Sequence, residues 1–148
     1  MKTIKDSETV MTEIVFPNDT NPMGILQGGR LMHWMDIASA VCAQRHSERI
    51  AVTASIDKVN FKHPVYLGDI LTIKAKMTRA FNTSMEIYIE VWARKVKSAE
   101  IFLTNHAYFT LVAIDDNAVP VSIPPIIPAN EEEKKQYAAA LRRKKSRK

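Results

Sequence analysis

From Leu31 to Ala43 the chain is apolar on nearly every face of a helix, and this stretch constrains the fold more than any other. Leu31, Met35, Ala38 and Cys42 recur at helical spacing, while Met32, Trp34, Ile37 and Val41 fill the remaining faces. Such a helix has to be buried. Its 13 residues fall short of the roughly 20 that cross a bilayer, so the rest of the protein must wrap it.

The residues after Arg45-His46-Ser47-Glu48 are suited to wrapping. Val52 to Phe61 is rich in β-branched residues. Leu71, Ile73, Ala75 and Met77 alternate with Thr72, Lys74, Lys76 and Thr78. Met85, Ile87, Ile89, Val91 and Ala93 alternate in the same way with Glu86, Tyr88, Glu90, Trp92 and Arg94. A period of two marks strands with one buried face. Ile101 to Ile114 reads as a further strand, and Thr9 to Phe16 as a first one before the turn-rich Pro17–Pro22 segment. Short links between the later strands favour antiparallel neighbours. The expectation is an α+β fold, one antiparallel sheet curled round one helix, with a C-terminal helix at about 130–145. A single sheet cannot cover the helix on every side, so a second copy of the chain is expected to close it.

Charge separates the chain into two parts. Residues 1–130 carry 13 basic and 13 acidic residues, whereas 134–148 hold eight Lys and Arg. The division is residues 1–128 as the wrapped domain and 129–148 as a basic helical tail. That tail reads as a solvated helix end, as a cationic arm for a polyphosphate ligand, or as a nucleic-acid contact. No apolar core of a signal peptide stands near the N-terminus, and the single cysteine, Cys42, forms no internal disulfide, so a cytoplasmic location is expected. The four histidines (His33, His46, His63 and His106) have no metal-site spacing. Nucleophile elbow, phosphate loop and dinucleotide fingerprint are all absent.

Asp36 is the anomaly. A carboxylate on an apolar helix pays a large desolvation cost unless it is paired or reaches solvent. Gly29, His33, Asp36 and Ala40 form the helix's one less hydrophobic edge. Asp36 therefore reads either as a catalytic carboxylate in a cleft or as a structural one paired with Arg30, Arg45 or a partner chain. Gly24, Gly28 and Gly29 lead into the helix start, where free amides favour developing negative charge, although a plain turn explains them equally. Asn21 is a turn residue whose amide could also orient water or substrate.

Several spaced blocks carry a family resemblance. Asn21-Pro22-Met23-Gly24-Ile25-Leu26-Gln27-Gly28-Gly29, followed by Leu31-Met32 and Trp34-Met35-Asp36-Ile37-Ala38, resembles the hot-dog acyl-CoA thioesterases of the brain-type acyl-CoA hydrolase group. Asp57 to Asp69, Thr83-Ser84-Met85-Glu86, Phe109 to Asp115 and Ile127 to Lys135 agree with it, so the resemblance spans nearly the whole chain. It implies a sheet-wrapped helix and hydrolysis of acyl-CoA to CoA and free acid. It implies dimers as the minimal unit, usually joined as trimers of dimers. Its site lies at the dimer interface, with an Asn from one subunit and an Asp from the other, here Asn21 and Asp36. Both are present in every copy, which gives two equivalent sites per dimer. CoA is implied to run past Val59-Asn60-Phe61 and Thr83-Ser84-Met85, with Arg94 and the basic tail as secondary phosphate contacts. Where many relatives carry Gly before the second turn, this chain has Asn82.

The implied mechanism is direct hydrolysis. Asp36 serves as general base toward water, or as nucleophile, Asn21 positions water or carbonyl, and the amides near Gly28 and Gly29 hold the oxyanion. Neither a metal nor a bound organic cofactor is needed, CoA being part of substrate and product, and neither nucleic acid nor membrane is an expected partner. Two rivals remain: a hydratase or dehydratase of the same fold using His33, and a non-catalytic acyl-CoA-binding regulator.

Overall fold

The computed structural model describes residues 2–147. In chain order the elements are β1 (Lys2–Thr3), α1 (Ile4–Ser7), β2 (Thr9–Ile14), a 3-10 turn (Pro17–Asp19) and α2 (Gly28–Ser47). There follow β3 (Ile50–Phe61), β4 (Ile70–Ala80), β5 (Ser84–Arg94), β6 (Ile101–Ile114), β7 (Ile126–Ile127) and α3 (Glu131–Ser146). Five strands make one antiparallel sheet in the order β2-β4-β5-β6-β3. The short β1 and β7 pair in parallel apart from it.

The alternation read from the sequence decides which face meets α2. Leu71, Ile73, Ala75 and Met77 of β4, Met85, Ile87, Ile89, Val91 and Ala93 of β5, and Ala107, Phe109 and Leu111 of β6 are fully buried or nearly so on the inner face. Leu31, Trp34, Met35, Ala38 and Cys42 of α2 enter the same core. Each large side chain buried there contributes about 1.5–3 kcal/mol. Ala38 lies in that core with no exposure, and overpacking such a site costs about 1–3 kcal/mol, so its smallness holds helix and sheet together.

The helix is longer than the apolar run, 20 residues from Gly28, and ends where Glu48 turns left-handed at φ 58°. It is also less completely wrapped than its composition suggested. His33, Ile37 and Val41 are exposed and Met32, Asp36 and Ala40 half-buried, because the sheet covers only the opposite side. β3, an edge strand, is open too, with Val52 at 46% and Phe61 at 59% exposure. The first strand is shorter than Thr9–Phe16, because Val15 bonds instead to Asp69 and Gly68 beyond the sheet's regular register.

On the outer face α3 is docked through the sheet's one fully buried glutamate. Arg143 donates from Nε and Nη2 to Glu86 at 2.9 and 2.7 Å, while Thr78 donates to the same carboxylate at 2.5 Å. A β-bulge between Met77 and Arg79 turns Thr78 toward Glu86. Arg79 stacks 4.0 Å over Tyr137, and Arg143 lies 3.8 Å over Tyr108. The unequal charge of this segment follows helix physics. Glu131, Glu132 and Glu133 fill the first turn and Arg143, Lys144 and Lys145 the last, each opposite the matching end of the helix dipole.

Candidate active site

The entry to α2 is built by Asp19 and Asn21. Asp19, buried to 6% exposure, accepts the Phe16 amide at 2.9 Å and lies 3.2 Å from Arg30 Nε, and its carbonyl takes the Gln27 amide. Asn21 Oδ1 accepts the amides of Met23 and Ile25 at 2.9 and 3.1 Å. Two backbone donors on the oxygen orient the side-chain amide so that its NH2 group faces away from the turn. The loop then delivers Gly28 to the first turn of α2, where Gln27 provides no side-chain cap. Leu31 makes the first backbone bond of the helix, to Gln27, so the Gly28, Gly29 and Arg30 amides have no acceptor within it. A Cβ added at Gly28 or Gly29 would meet nothing within 4 Å, so this turn presents bare backbone. Beside it lies a cleft of about 220 Å³ lined by Ile25, Leu26, Gly28, Leu31, Phe61 and His63, among others.

Asp36 is not held by either arginine considered as its structural partner. Arg30 pairs with Asp19, and Arg45 reaches the carbonyls of Asp6 and Glu8 and the Thr9 hydroxyl. Its partner is Thr53 on β3, whose hydroxyl donates to Asp36 Oδ1 at 2.5 Å. Thr53 stands beside a β-bulge between Thr53 and Ser55, a device that re-aims a strand's side chains. No sequence pattern marked Thr53: one threonine in a β-branched run has no local signal, and only the packing of α2 on β3 brings it to Asp36. His33, one turn before Asp36, is exposed and makes no hydrogen bond with it among the described residues.

One chain brings only some of the candidate residues together. Gly28 and Phe61 line the same cleft, Gly28 and Gly29 open α2, and Asn21 stands in the loop before it. Asp36 lies eight residues further along, about 12 Å at 1.5 Å per residue. A base and an oxyanion donor that act on one carbonyl must each come within about 3 Å of it, so Asp36 and its own helix start do not converge. Val59 and Asn60 sit at the end of β3, whereas Ser84 stands opposite Val112, which pairs with Val52 near its start. The Met85 side chain lies wholly inside the core. Arg94 is exposed at the opposite end of β5 from Ser84.

Two groups near this framework have shifted proton affinities. Burial pushes the Cys42 thiol up to about 12. Burial also pulls His46 below its ordinary value, while its Nε2 donates to the Pro124 carbonyl at 2.8 Å. Among the described residues no three His, Cys, Asp or Glu side chains group as a metal site, and no helix is long and apolar enough to cross a membrane.

Comparison with known proteins places the same residues in a wider setting. The model of the thioesterase superfamily matches residues 23–100. The acyl-CoA thioester hydrolase YkhA of Bacillus subtilis is 36% identical over 144 residues, covering 97% of this chain and 84% of that protein. An apo-hexameric acyl-CoA thioesterase superposes with a TM-score of 0.94 at 36% identity, over 99% of this chain and 96% of the other. The acyl-CoA hydrolase of Staphylococcus aureus, in complex with butyryl-CoA, CoA and CoA disulfide, gives a TM-score of 0.91 at 35% identity, over 99% and 90%. Variants of that hydrolase with an Asp, a Thr or an Asn replaced by Ala have also been characterised.

Proposed function

The chain belongs to the thioesterase superfamily, and on that premise we propose that it is an acyl-CoA hydrolase whose base is Asp36. The observation that carries this reading is the Asp36–Thr53 pair on the open edge of α2. Thr53 occupies one carboxylate oxygen and orients the group, and no cation neutralises it among the described residues. The other oxygen is available to take a proton from water. The spacing of the hydrolase variants supports the same set. In the Staphylococcus aureus protein the Asp lies 15 residues after the Asn and the Thr 17 after the Asp, as in Asn21, Asp36 and Thr53.

The chemistry follows from these roles. Asp36 removes a proton as water attacks the thioester carbonyl, and the carbonyl oxygen becomes an oxyanion. Amides at Gly28 and Gly29 and the outward NH2 of Asn21 donate to that oxyanion. Collapse of the tetrahedral species breaks the C–S bond, and the proton held by Asp36 passes to the leaving thiolate, giving free acid and CoA.

The site is completed by a second subunit. The separation of about 12 Å between Asp36 and its own helix start argues for donors from elsewhere. Antiparallel pairing of β3 with its copy would run two α2 helices in opposite directions, laying one Asp36 beside the partner helix's first turn. Exposed Ile37 and Val41, with the open apolar edge of β3, supply the surface for it. The dimer is the minimal unit, and the hexameric relative supports a trimer of such dimers.

The decisive experiment is thiol release from acyl-CoA of increasing chain length, with Asp36→Ala alongside. Full activity in that variant removes Asp36 as the base, and absence of thiol release from every acyl-CoA by the parent protein removes the activity.

A further inference from the structure

The first turn of α2 lacks the usual means of holding a helix start. Gly28 and Gly29 open it, and glycine loses more backbone freedom on ordering than any other residue. Gln27 supplies no side-chain cap, and no acidic residue stands in the turn. Its one charged residue is Arg30, a cation at the end of the helix where the dipole opposes it.

Asp19 supplies the missing restraints from outside the helix. Its carbonyl accepts the Gln27 amide at 2.9 Å, and its Oδ1 lies 3.2 Å from Arg30 Nε. One residue thus ties the chain on either side of the Gly28-Gly29 pair. Asp19 is itself fixed, because Oδ2 accepts the Phe16 amide at 2.9 Å and the residue is buried at the end of the 3-10 turn. Thr20 and Leu26 pair as an antiparallel bridge, which folds the loop so that position 19 meets position 27. The Gln27 side chain adds a further tie, donating to the Thr20 carbonyl at 3.1 Å.

The electrostatics follow from the same geometry. An anion near a helix start ordinarily stabilises it, but here it would also repel negative charge developing on a substrate carbonyl. Arg30 cancels the Asp19 charge at close range and leaves the free amides and the dipole to act. Stability alone does not account for the pair, because Arg30 is 41% exposed and ion pairs reaching solvent contribute little.

We propose that Asp19 and Arg30 are positioning residues for thioester hydrolysis: they fix the Gly28 and Gly29 amides where the oxyanion forms and keep the charge beside it neutral. The proposal rests on the acyl-CoA reading and on the oxyanion role of that turn. Neither residue touches the reacting atoms, and both act through the glycine amides.

The test is a small set of variants assayed with butyryl-CoA. Arg30→Met strands the Asp19 carboxylate beside the turn, so kcat should fall about ten- to a hundredfold while KM changes by less than about threefold. Asp19→Asn keeps the backbone tie and an acceptor for the Phe16 amide, so it should cost less. The double variant Asp19→Asn, Arg30→Met leaves no charge uncompensated and should recover most of the loss, and Arg30→Lys should retain most of the parent rate. A purely structural pair would give equal losses in both single variants and no recovery in the double. Unchanged kcat in Arg30→Met, or a double variant no faster than Arg30→Met, would overturn the proposal. Hydrogen exchange reads the hold on the turn without turnover: the Leu31 and Met32 amides should exchange at least about threefold faster in Asp19→Ala than in the parent protein, and equal rates would count against it. If the parent protein hydrolyses butyryl-CoA and Asp36→Ala does not, a fully active Arg30→Met removes the role of the pair and leaves the acyl-CoA reading standing. If the parent protein releases no thiol from any acyl-CoA, that reading fails and the catalytic role of the pair with it, while exchange still decides whether Asp19 holds the turn.

Discussion

The hydroxyl of Thr53 donates to Oδ1 of Asp36 at 2.5 Å, joining the early part of an edge strand to the middle of the buried helix. The contact leaves the carboxylate half-exposed, with one oxygen oriented and the other free. It also divides the expected effects of substitution. General-base help is worth about 10² to 10⁴ in rate, so Asp36→Ala should lower kcat by at least that range. Thr53→Ala should cost less, about tenfold, because it loosens the base without removing it, and Thr53→Ser should restore most of the loss. Steady-state thiol release measures all three, and size-exclusion chromatography should find the same oligomer in each.

Asn21 has two separable jobs. Its oxygen holds the turn through Met23 and Ile25, while its NH2 group points outward. Asn21→Asp keeps the acceptor and removes the donor, so it should preserve the melting temperature and lower kcat. Asn21→Ala should lower both, with the loss of turn bonds costing about 1 kcal/mol. If Asn21→Asp turns over normally, the amide serves the loop alone.

The Glu86–Arg143 pair fastens α3 to the sheet in a site with no solvent at the carboxylate. Removing one partner of such a pair strands a buried charge, at a cost of about 3–5 kcal/mol. Arg143→Ala should therefore lower Tm by roughly 6–15 °C for a domain of this size, read by calorimetry. Replacing both partners with apolar residues of similar volume should recover much of the loss.

His46 gives a pH dependence of known sign. Burial favours its neutral form, so its proton affinity is lower in the folded chain than the ordinary value of 6.5. Its contribution is fully present above that value and is lost as pH falls from about 6.5 through the lower folded value. Tm measured between pH 7.5 and about 5 should decline, and His46→Gln should flatten the part of the decline due to this residue. An identical profile in the variant would assign the dependence to other groups.

Cys42 should be silent toward thiol reagents. It is fully buried and its thiol is raised to about 12, so little thiolate forms near neutral pH. Native protein should show no reaction with a disulfide reagent on the timescale of a thiol-release assay, and one equivalent per chain should appear on denaturation.

Much of this molecule was legible as local pattern. The strands Ile70–Ala80 and Ser84–Arg94 follow the alternation of apolar and polar residues, because each residue's face is set by its neighbours two positions away. The Leu31–Ala43 run identified the buried helix, and the desolvation argument singled out Asp36 within it. The turn role of Asn21 was readable too, since an Asx side chain bonds to amides only a few residues on.

Other features joined positions that no local pattern relates. Thr53 reached Asp36 only through the packing of α2 on β3, and the basic C-terminal segment found Glu86 across 57 residues of chain. Met85 enters the core because register turns it inward beside Leu111. The amino-acid sequence by itself determined a strand-wrapped helix with one costly carboxylate, because periodicity and burial are properties of short segments. Tertiary structure alone decided what that carboxylate touches and how far Asp36 stands from its own helix start. Those depend on strand order, bulges and register, which bring distant residues within hydrogen-bond reach or keep them apart.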